Sequence, residues 1–141
     1  NLSIIIRIFL DFEDKIIFLF SNFMKIYPIK LYLKNLFNLI TLILSLAINI
    51  LSWLWLIFQI KPQQEDIFLH YNILFGVDYL GSWWKVFYLP IFGLLILITN
   101  NLIGWLLFGK DKFIAQILNA VNLFCQIFIF LAVALLVFLN V

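Results

Sequence analysis

The chain has 141 residues, of which 66% are hydrophobic and 11% are charged, and its formal net charge is +2. Soluble domains are about 45–50% apolar and about 25% charged, so this composition excludes a water-soluble globular protein and predicts a membrane protein. The small net charge and the lack of a basic run in the sequence argue against nucleic-acid binding.

Residues 1–27 are predicted to form an amphipathic helix that lies at the cytoplasmic membrane interface. Polar residues recur there at steps of three and four and therefore share one helical face: Ser3, Arg7, Asp11, Asp14, Ser21 or Asn22, and Lys25. The other faces are apolar, as in interfacial helices. Pro28 ends or kinks the helix because its ring removes a backbone donor. The alternative is the end of a longer helix that is cut off at Asn1.

The segment 28–141 is predicted to be a three-helix transmembrane domain. Crossing roughly 30 Å of hydrocarbon takes about 20 residues, and three uncharged stretches exceed that length. The predicted spans are 36–60, 86–108 and 114–138. A charge at a helix centre would cost about 2.5–3.5 kcal/mol, and every Lys, Arg, Asp and Glu avoids these centres. The predicted fold class is therefore an all-α membrane protein, with three transmembrane helices preceded by an amphipathic interfacial helix.

The basic residues predict the orientation of these spans. Seven of the nine lie before the first span or in the turn between the second and third, whereas Lys61 and Lys85 flank the loop on the other side. The positive-inside bias assigns the first side to the cytoplasm. We therefore expect a cytoplasmic N-terminus and an external C-terminus.

The loop of residues 62–84 is long and only moderately polar. Gly76 and Gly81 interrupt its apolar run and favour turns, so we expect a helical or hairpin-like segment that caps the bundle or lies at the lipid interface. Its candidate residues are His70, Tyr71, Asn72 and Asp78. They are expected to hydrogen-bond within the loop and anchor it at the headgroups. The alternative is an enzyme that uses His70 and Asp78 at the outer surface.

Each span carries polar side chains at helical spacing. Gly93, Asn100 and Gly104 share a face of the second span, with Thr99 and Asn101 beside it. We expect these faces to be helix-packing seams, where interhelical hydrogen bonds contribute on average about 0.6 kcal/mol each. The alternative is a polar path or ligand site between the helices. The candidate packing residues are Asn38, Thr41, Ser45, Asn49, Ser52, Asn100, Asn119, Asn122 and Gln126.

Catalytic, metal and cofactor sites are not predicted. A zinc site needs three or four ligands, but the chain has one histidine and one cysteine, Cys125, which is expected to be a small core residue. The spans contain no Asp, Glu, Lys, Arg or His, and such groups mark most ion and proton pathways, which argues against a pump. We therefore expect a non-enzymatic protein without a cofactor.

Two motifs resemble a group of small multi-pass membrane proteins from bacteria of reduced-genome candidate phyla. They are the runs 69–72 and 75–78, followed by the entry of 81–90 into the second span. The resemblance covers about half of the chain, from Phe68 to Val141. It implies a bacterial inner-membrane location and a three-helix body, and it carries over no activity and no functional residue.

The leading hypothesis from the sequence is a structural or assembly subunit that acts through helix–helix contacts. Its expected partners are the lipid bilayer and either a second copy or another membrane protein, with no nucleic acid. The alternative is an oligomeric small transporter or channel component, because three helices rarely enclose a pathway alone.

Overall fold

The computed structural model describes residues 27–72, 74 and 76–141, and the side chains of all of these except residues 71, 72 and 76–78. The predicted amphipathic helix therefore lies outside the described residues, apart from Tyr27. The elements, in chain order, are α1 (Ile29–Lys34), α2 (Leu36–Gln59), β1 (Ile67–Asn72), β2 (Gly76–Gly81), a 3-10 helix (Trp83–Phe87), α3 (Tyr88–Phe108) and α4 (Lys112–Asn140).

Three helices are long and apolar enough to cross a membrane, as the sequence predicted. They cover Leu36–Gln59, Trp83–Phe108 and Lys112–Asn140, the second of which begins in the 3-10 helix. The third starts two residues earlier than predicted because Asp111 caps it. The Asp111 carboxylate accepts hydrogen bonds from the backbone N–H groups of Phe113 and Ile114, at 2.9 and 3.1 Å.

Helix α4 is the centre of the bundle. It packs along both α2 and α3, whereas α2 and α3 contact each other much less. The turn of residues 109–111 brings α4 back antiparallel to α3. Helices α2 and α4 therefore run in the same direction, and any seam shared by all three helices must include a face of α4.

Apolar cores close the bundle at both ends. At the end beside the strands, the buried residues come from α2, β1, the 3-10 helix and α4: Leu56, Ile60, Ile67, Val86, Val133, Leu136 and Val137. At the opposite end, Phe108 packs between Tyr27 and Tyr32, with ring centroids 5.2 Å apart in both pairs. The Trp105 Nε1–H also donates to the backbone carbonyl of Tyr27 at 2.8 Å, which joins the start of the described chain to α3.

The loop between the first two spans contains an antiparallel β-hairpin, the second of the two forms expected for this segment. Strands β1 and β2 pair from Ile67 with Gly81 to Asn72 with Gly76, with irregularities on either side of His70. The side chain of Asn140, at the end of α4, pairs with the open edge of β1. Its Oδ1 accepts from the Phe68 N–H and its Nδ2 donates to the Phe68 carbonyl, both at 2.8 Å. The amide thus acts as one residue of an additional strand.

Replacing Asn140 with alanine is expected to release the hairpin from the bundle, because both hydrogen bonds to Phe68 are lost together. Backbone amides of 67–72 should then exchange hydrogen at least about fivefold faster, because two net bonds of about 0.5–1.5 kcal/mol together contribute about 1–3 kcal/mol. Hydrogen–deuterium exchange in nanodiscs measures this, with Gln59→Ala as an amide control at the end of α2. Equal exchange in the wild type and Asn140→Ala would contradict the strand-like pairing.

Candidate helix-contact sites

The polar side chains of α2 and α4 face the inside of the bundle. Eight of the candidate packing residues are at most 6% exposed: Asn38, Thr41, Ser45, Asn49, Ser52, Asn119, Asn122 and Gln126. The outer surfaces of the same helices carry large apolar side chains such as Ile43, Leu51 and Phe128. This is the reverse of a soluble bundle, and it is the arrangement that a hydrocarbon solvent favours.

The first group of buried hydrogen bonds is the Tyr32 cluster, which we define as Tyr32, Asn38 and Asn119. The Asn119 Nδ2 donates to the Tyr32 hydroxyl at 2.8 Å and to the Asn38 Oδ1 at 3.0 Å. The Tyr32 hydroxyl donates to the Asn119 Oδ1 at 3.1 Å, and the Asn38 Nδ2 donates to the Tyr32 carbonyl at 3.3 Å. One amide of α4 therefore joins α1 to α2.

The Tyr32 cluster lies where α1 meets the bundle, next to Gly104 of α3. Burial raises the pKa of the Tyr32 hydroxyl above its ordinary value of 10.0, and the hydrogen bond with Asn119 opposes this rise. A Cβ atom on Gly104 would lie 3.2 Å from the Tyr32 hydroxyl and 3.5 Å from the Asn119 Oδ1. Gly104 thus provides the space that the cluster occupies. The hydroxyl stays neutral at physiological pH and acts as a structural hydrogen-bonding group.

The second group is the Gln126 cluster, which we define as Asn49, Gln126 and the backbone carbonyls of Pro90 and Gly93. The Asn49 Nδ2 donates to the Gln126 Oε1 at 3.2 Å and to the Pro90 carbonyl at 3.1 Å. The Gln126 Nε2 donates to the Gly93 carbonyl at 2.7 Å. These bonds connect all three long helices at one point of the seam.

Gly93 allows α3 to approach the Gln126 cluster. A Cβ atom at this position would lie 2.8 Å from the Asn49 Nδ2 and 3.1 Å from the Gln126 Oε1. Real Cβ atoms are essentially never closer than 3.0 Å to another heavy atom, so a larger residue must push the amides or the helix away. The glycine therefore serves close helix packing, as small residues do in membrane helices.

Ser45 and Asn122 lie on the same faces of α2 and α4, between the residues of the two clusters. The Ser45 Oγ and both polar side-chain atoms of Asn122 are buried and have no hydrogen-bond partner in the described part of the chain. Thr41 and Ser52 instead donate to carbonyls of their own helix, Phe37 and Ile48. The hydrogen bonds between helices are thus concentrated in the Tyr32 and Gln126 clusters, and the polar residues between these clusters do not contribute to them.

Helix α3 differs from the other two because polar side chains in its middle lie partly outside the bundle. We call Thr99, Asn100 and Asn101 the α3 polar face. Thr99 is exposed and donates to the Leu95 carbonyl of its own helix, while both asparagines are half-buried. Asn100 makes no hydrogen bond to the described residues. Asn101 donates to the Leu97 carbonyl, but its Oδ1 has no partner among those residues.

Of the four candidate loop residues, His70 is the one whose side chain the structure describes. His70 is exposed on β1, opposite Tyr79 of β2, and the side chains of Tyr71, Asn72 and Asp78 are not among those described. The Lys85 ammonium donates to the Tyr79 hydroxyl at 3.2 Å. Among the described residues, no group of three His, Cys, Asp or Glu side chains could hold a metal ion.

The comparisons with known proteins add no family to this description. No family model matches the chain, and neither a curated protein nor a solved structure matches it. The interpretation of the sites therefore depends on the geometry of the chain itself.

Sequence reasoning missed two side chains that organise these sites. Tyr32 lies before the first predicted span and Asn140 lies after the last one, so neither belonged to a polar stripe. Their common signal is weak: each is a hydrogen-bonding side chain at the end of a long apolar segment, where aromatic and amide residues are ordinary.

Proposed function

We propose that this protein is a non-enzymatic structural or assembly subunit of a bacterial cytoplasmic membrane, and that it acts through helix–helix contacts of α3. The observation that supports this is the partial exposure of the α3 polar face, while the mid-helix polar residues of α2 and α4 are buried inside the bundle. The distribution of Lys and Arg supports a cytoplasmic N-terminus and an external C-terminus.

A partner helix would satisfy the Asn100 amide on the α3 polar face. An amide without a hydrogen-bond partner is costly in hydrocarbon, and the half-buried Asn100 side chain makes no hydrogen bond to the described residues. The Asn101 Oδ1 also has no partner among them, but it is buried inside the chain and a partner helix would not reach it. Asparagine is a suitable contact residue because it is both donor and acceptor. A second copy is the simplest partner, since a two-fold axis would bring Asn100 of both copies together. Another membrane protein with a polar helix face would serve equally well.

In-membrane crosslinking tests this proposal with cysteines placed in a Cys125→Ser background. We expect Thr99→Cys to form crosslinks between chains, because its side chain is exposed at the centre of α3. Leu44→Cys is the matched control, since Leu44 is 47% exposed at a similar position along α2 but has no polar residue beside it on the outer surface. Ser45→Cys should give no crosslink between chains because Ser45 is fully buried.

The pattern of crosslinks decides the proposal. A Thr99→Cys product, whether a dimer or an adduct with another protein, supports it when it is at least about fivefold above Leu44→Cys and falls in an Asn100→Leu, Asn101→Leu background. No product at Thr99, or equal products at Thr99 and Leu44, would contradict it, because random collisions favour neither helix.

A second candidate function is an oligomeric transporter or channel component. The same face supports it, because several copies arranged around α3 would place rings of Asn100 or Asn101 in the middle of the membrane. A path through a single chain is disfavoured, since the Gln126 and Tyr32 clusters and the close approach of Gly93 fill the seam. Liposomes that leak ions and small solutes equally with and without the protein would eliminate this candidate.

A further inference from the structure

An apolar groove lies on the outside of the bundle, where strand β1 meets α3 and α4. This hairpin groove has a volume of about 500 Å3 and is bounded by β1, the start of α3 and the last two turns of α4. Seven of its eight lining residues are apolar, among them Leu89, Ala132 and Leu139, and the eighth is His70 of β1. The groove is therefore shaped for a hydrocarbon chain and has a polar group at its hairpin end.

A positive charge lies beside the same end of the groove. Leu69, which lines the groove, and the Lys85 ammonium both pack against Gly81, with Leu69 Cδ1 at 2.7 Å and Lys85 Nζ at 3.2 Å from the position of an added Cβ. The Lys85 ammonium is also held 5.5 Å from the centre of the Tyr79 ring and donates to its hydroxyl. Its position is thus fixed by the hairpin.

We propose that the hairpin groove binds one anionic phospholipid, with an acyl chain along α4 and the headgroup phosphate beside Lys85. The two features of the site correspond to the two parts of such a molecule: an apolar groove along the end of α4, and a cation that the hairpin holds near Leu69, one of the residues that line the groove. An anionic headgroup near a lysine gains about 1 kcal/mol at a membrane surface, and a zwitterionic headgroup gains less. Asn140 maintains the site because it holds β1 against α4.

A second, neighbouring groove, which shares Leu135 and Phe138 with the hairpin groove, provides a matched control. It is lined by apolar residues of α2 and α4, including Trp55 and Ala134, and its only amide is that of Gln59. Ala132 faces the hairpin groove and Ala134 faces the second groove, and both are half-buried residues of one helix. A phenylalanine at either position is therefore expected to fill the groove that the replaced alanine lines, while the shared Leu135 and Phe138 are unchanged.

Native mass spectrometry of the full chain, released from nanodiscs of equal phosphatidylglycerol and phosphatidylcholine with identical acyl chains, tests the proposal. We expect the wild type to retain phosphatidylglycerol in preference to phosphatidylcholine. Lys85→Gln should raise the apparent Kd for phosphatidylglycerol about fivefold, whereas Lys61→Gln, at the other lysine that flanks this loop, should leave it unchanged. Ala132→Phe should abolish retention of both lipids, whereas Ala134→Phe should not.

Three results in the lipid-retention measurement would overturn the proposal. They are equal retention of the two lipids by the wild type, equal losses in Lys85→Gln and Lys61→Gln, and full retention in Ala132→Phe. If a second copy of the chain filled the groove instead, Ala132→Phe would change the oligomeric state with no headgroup preference, which also contradicts the proposal. Should Ala132→Phe fail to fold, the two lysine variants decide the outcome alone, because their charges lie outside the apolar cores.

Discussion

Replacing Gly93 with alanine is expected to destabilise the bundle, although the same change in an isolated helix would stabilise it. Alanine is favoured over glycine by about 0.8–1.0 kcal/mol in a helix interior. Here the added Cβ would lie 2.8 Å from the Asn49 Nδ2, so α3 must move away or the Gln126 cluster must break. Overpacking costs about 1–3 kcal/mol, so after the gain in helix propensity we expect a net loss of up to about 2 kcal/mol, and a larger loss for Gly93→Leu.

The free energy of unfolding, measured by steric trapping in bicelles, checks this expectation. Gly109→Ala is the control, because its Cβ would meet the Tyr27 ring at an ordinary distance of 3.4 Å. That variant should stay within about 0.5 kcal/mol of the wild type. A Gly93→Ala protein more stable than the wild type would show that helix propensity outweighs packing at this position, and that α3 does not approach the seam as described.

Replacing Asn119 with leucine should destabilise the protein by about 2–3 kcal/mol. The change replaces the amide with an apolar side chain of the same branched shape and leaves the Tyr32 hydroxyl and the Asn38 Oδ1 buried without their partner. Leaving a buried polar group unsatisfied costs about 1–3 kcal/mol, more than a net hydrogen bond contributes. Adding Tyr32→Phe should therefore recover part of the loss, because it removes one of the orphaned groups.

The pKa of Tyr32 gives a second measurement of the same contact. The hydrogen bond with Asn119 lowers this pKa, so its removal should raise the pKa further above 10.0. Ultraviolet titration of Asn119→Leu against the wild type would detect the change. Gln116→Met is the control on the same helix, since Gln116 is half-buried and makes no hydrogen bond to the described residues. An unchanged stability and titration curve in Asn119→Leu would contradict the Tyr32 cluster.

The helical periodicity of polar residues was the most informative signal in the sequence. On α2, the steps from Asn38 through Ser45 to Ser52 select one face, and in a membrane such a face turns inward because the lipid cannot satisfy it. The same reasoning applied to Asn119 and Gln126 of α4. Two stripes of this kind are enough to predict that the two helices share a seam, although which amide meets which carbonyl depends on their register.

The second span shows where periodicity becomes insufficient. Gly93 and Asn100 are seven residues apart and were expected on one packing face. In the structure Gly93, Leu97 and Gly104 are buried, whereas Asn100 is only half-buried at the edge of that face. Residues spaced by three, four or seven lie on the same side of a helix but not at the same angle around it. Spacing alone therefore does not show which of them lies at the centre of the packing face and which lies at its edge. The exposed part of α3, on which the proposed function depends, required the packed structure.

The residues of the loop do not by themselves show whether it forms a hairpin or a short helix. The apolar run after Asp66 is short, and such a run fits a buried strand or a helical segment equally well. Whether this run forms a strand or a helix depends on long-range contacts. Ile67 is buried in the core beside Leu56 and Val137, and Asn140 pairs with Phe68 across 72 positions of the chain. Neither contact leaves a local pattern in the sequence.

The most direct test of the account is whether the polar residues of α2 and α4 meet inside one chain. A double-mutant cycle of Asn49→Ala and Gln126→Ala, measured as unfolding free energies in bicelles, isolates their contact. We predict a coupling of about 0.6–1.7 kcal/mol, from the average to the largest value found for hydrogen bonds between membrane helices. Asn49→Ala combined with Asn119→Ala, which lies in the other cluster, should be additive. Additivity of Asn49→Ala and Gln126→Ala as well would contradict the internal seam, and with it the assignment of partner contacts to α3.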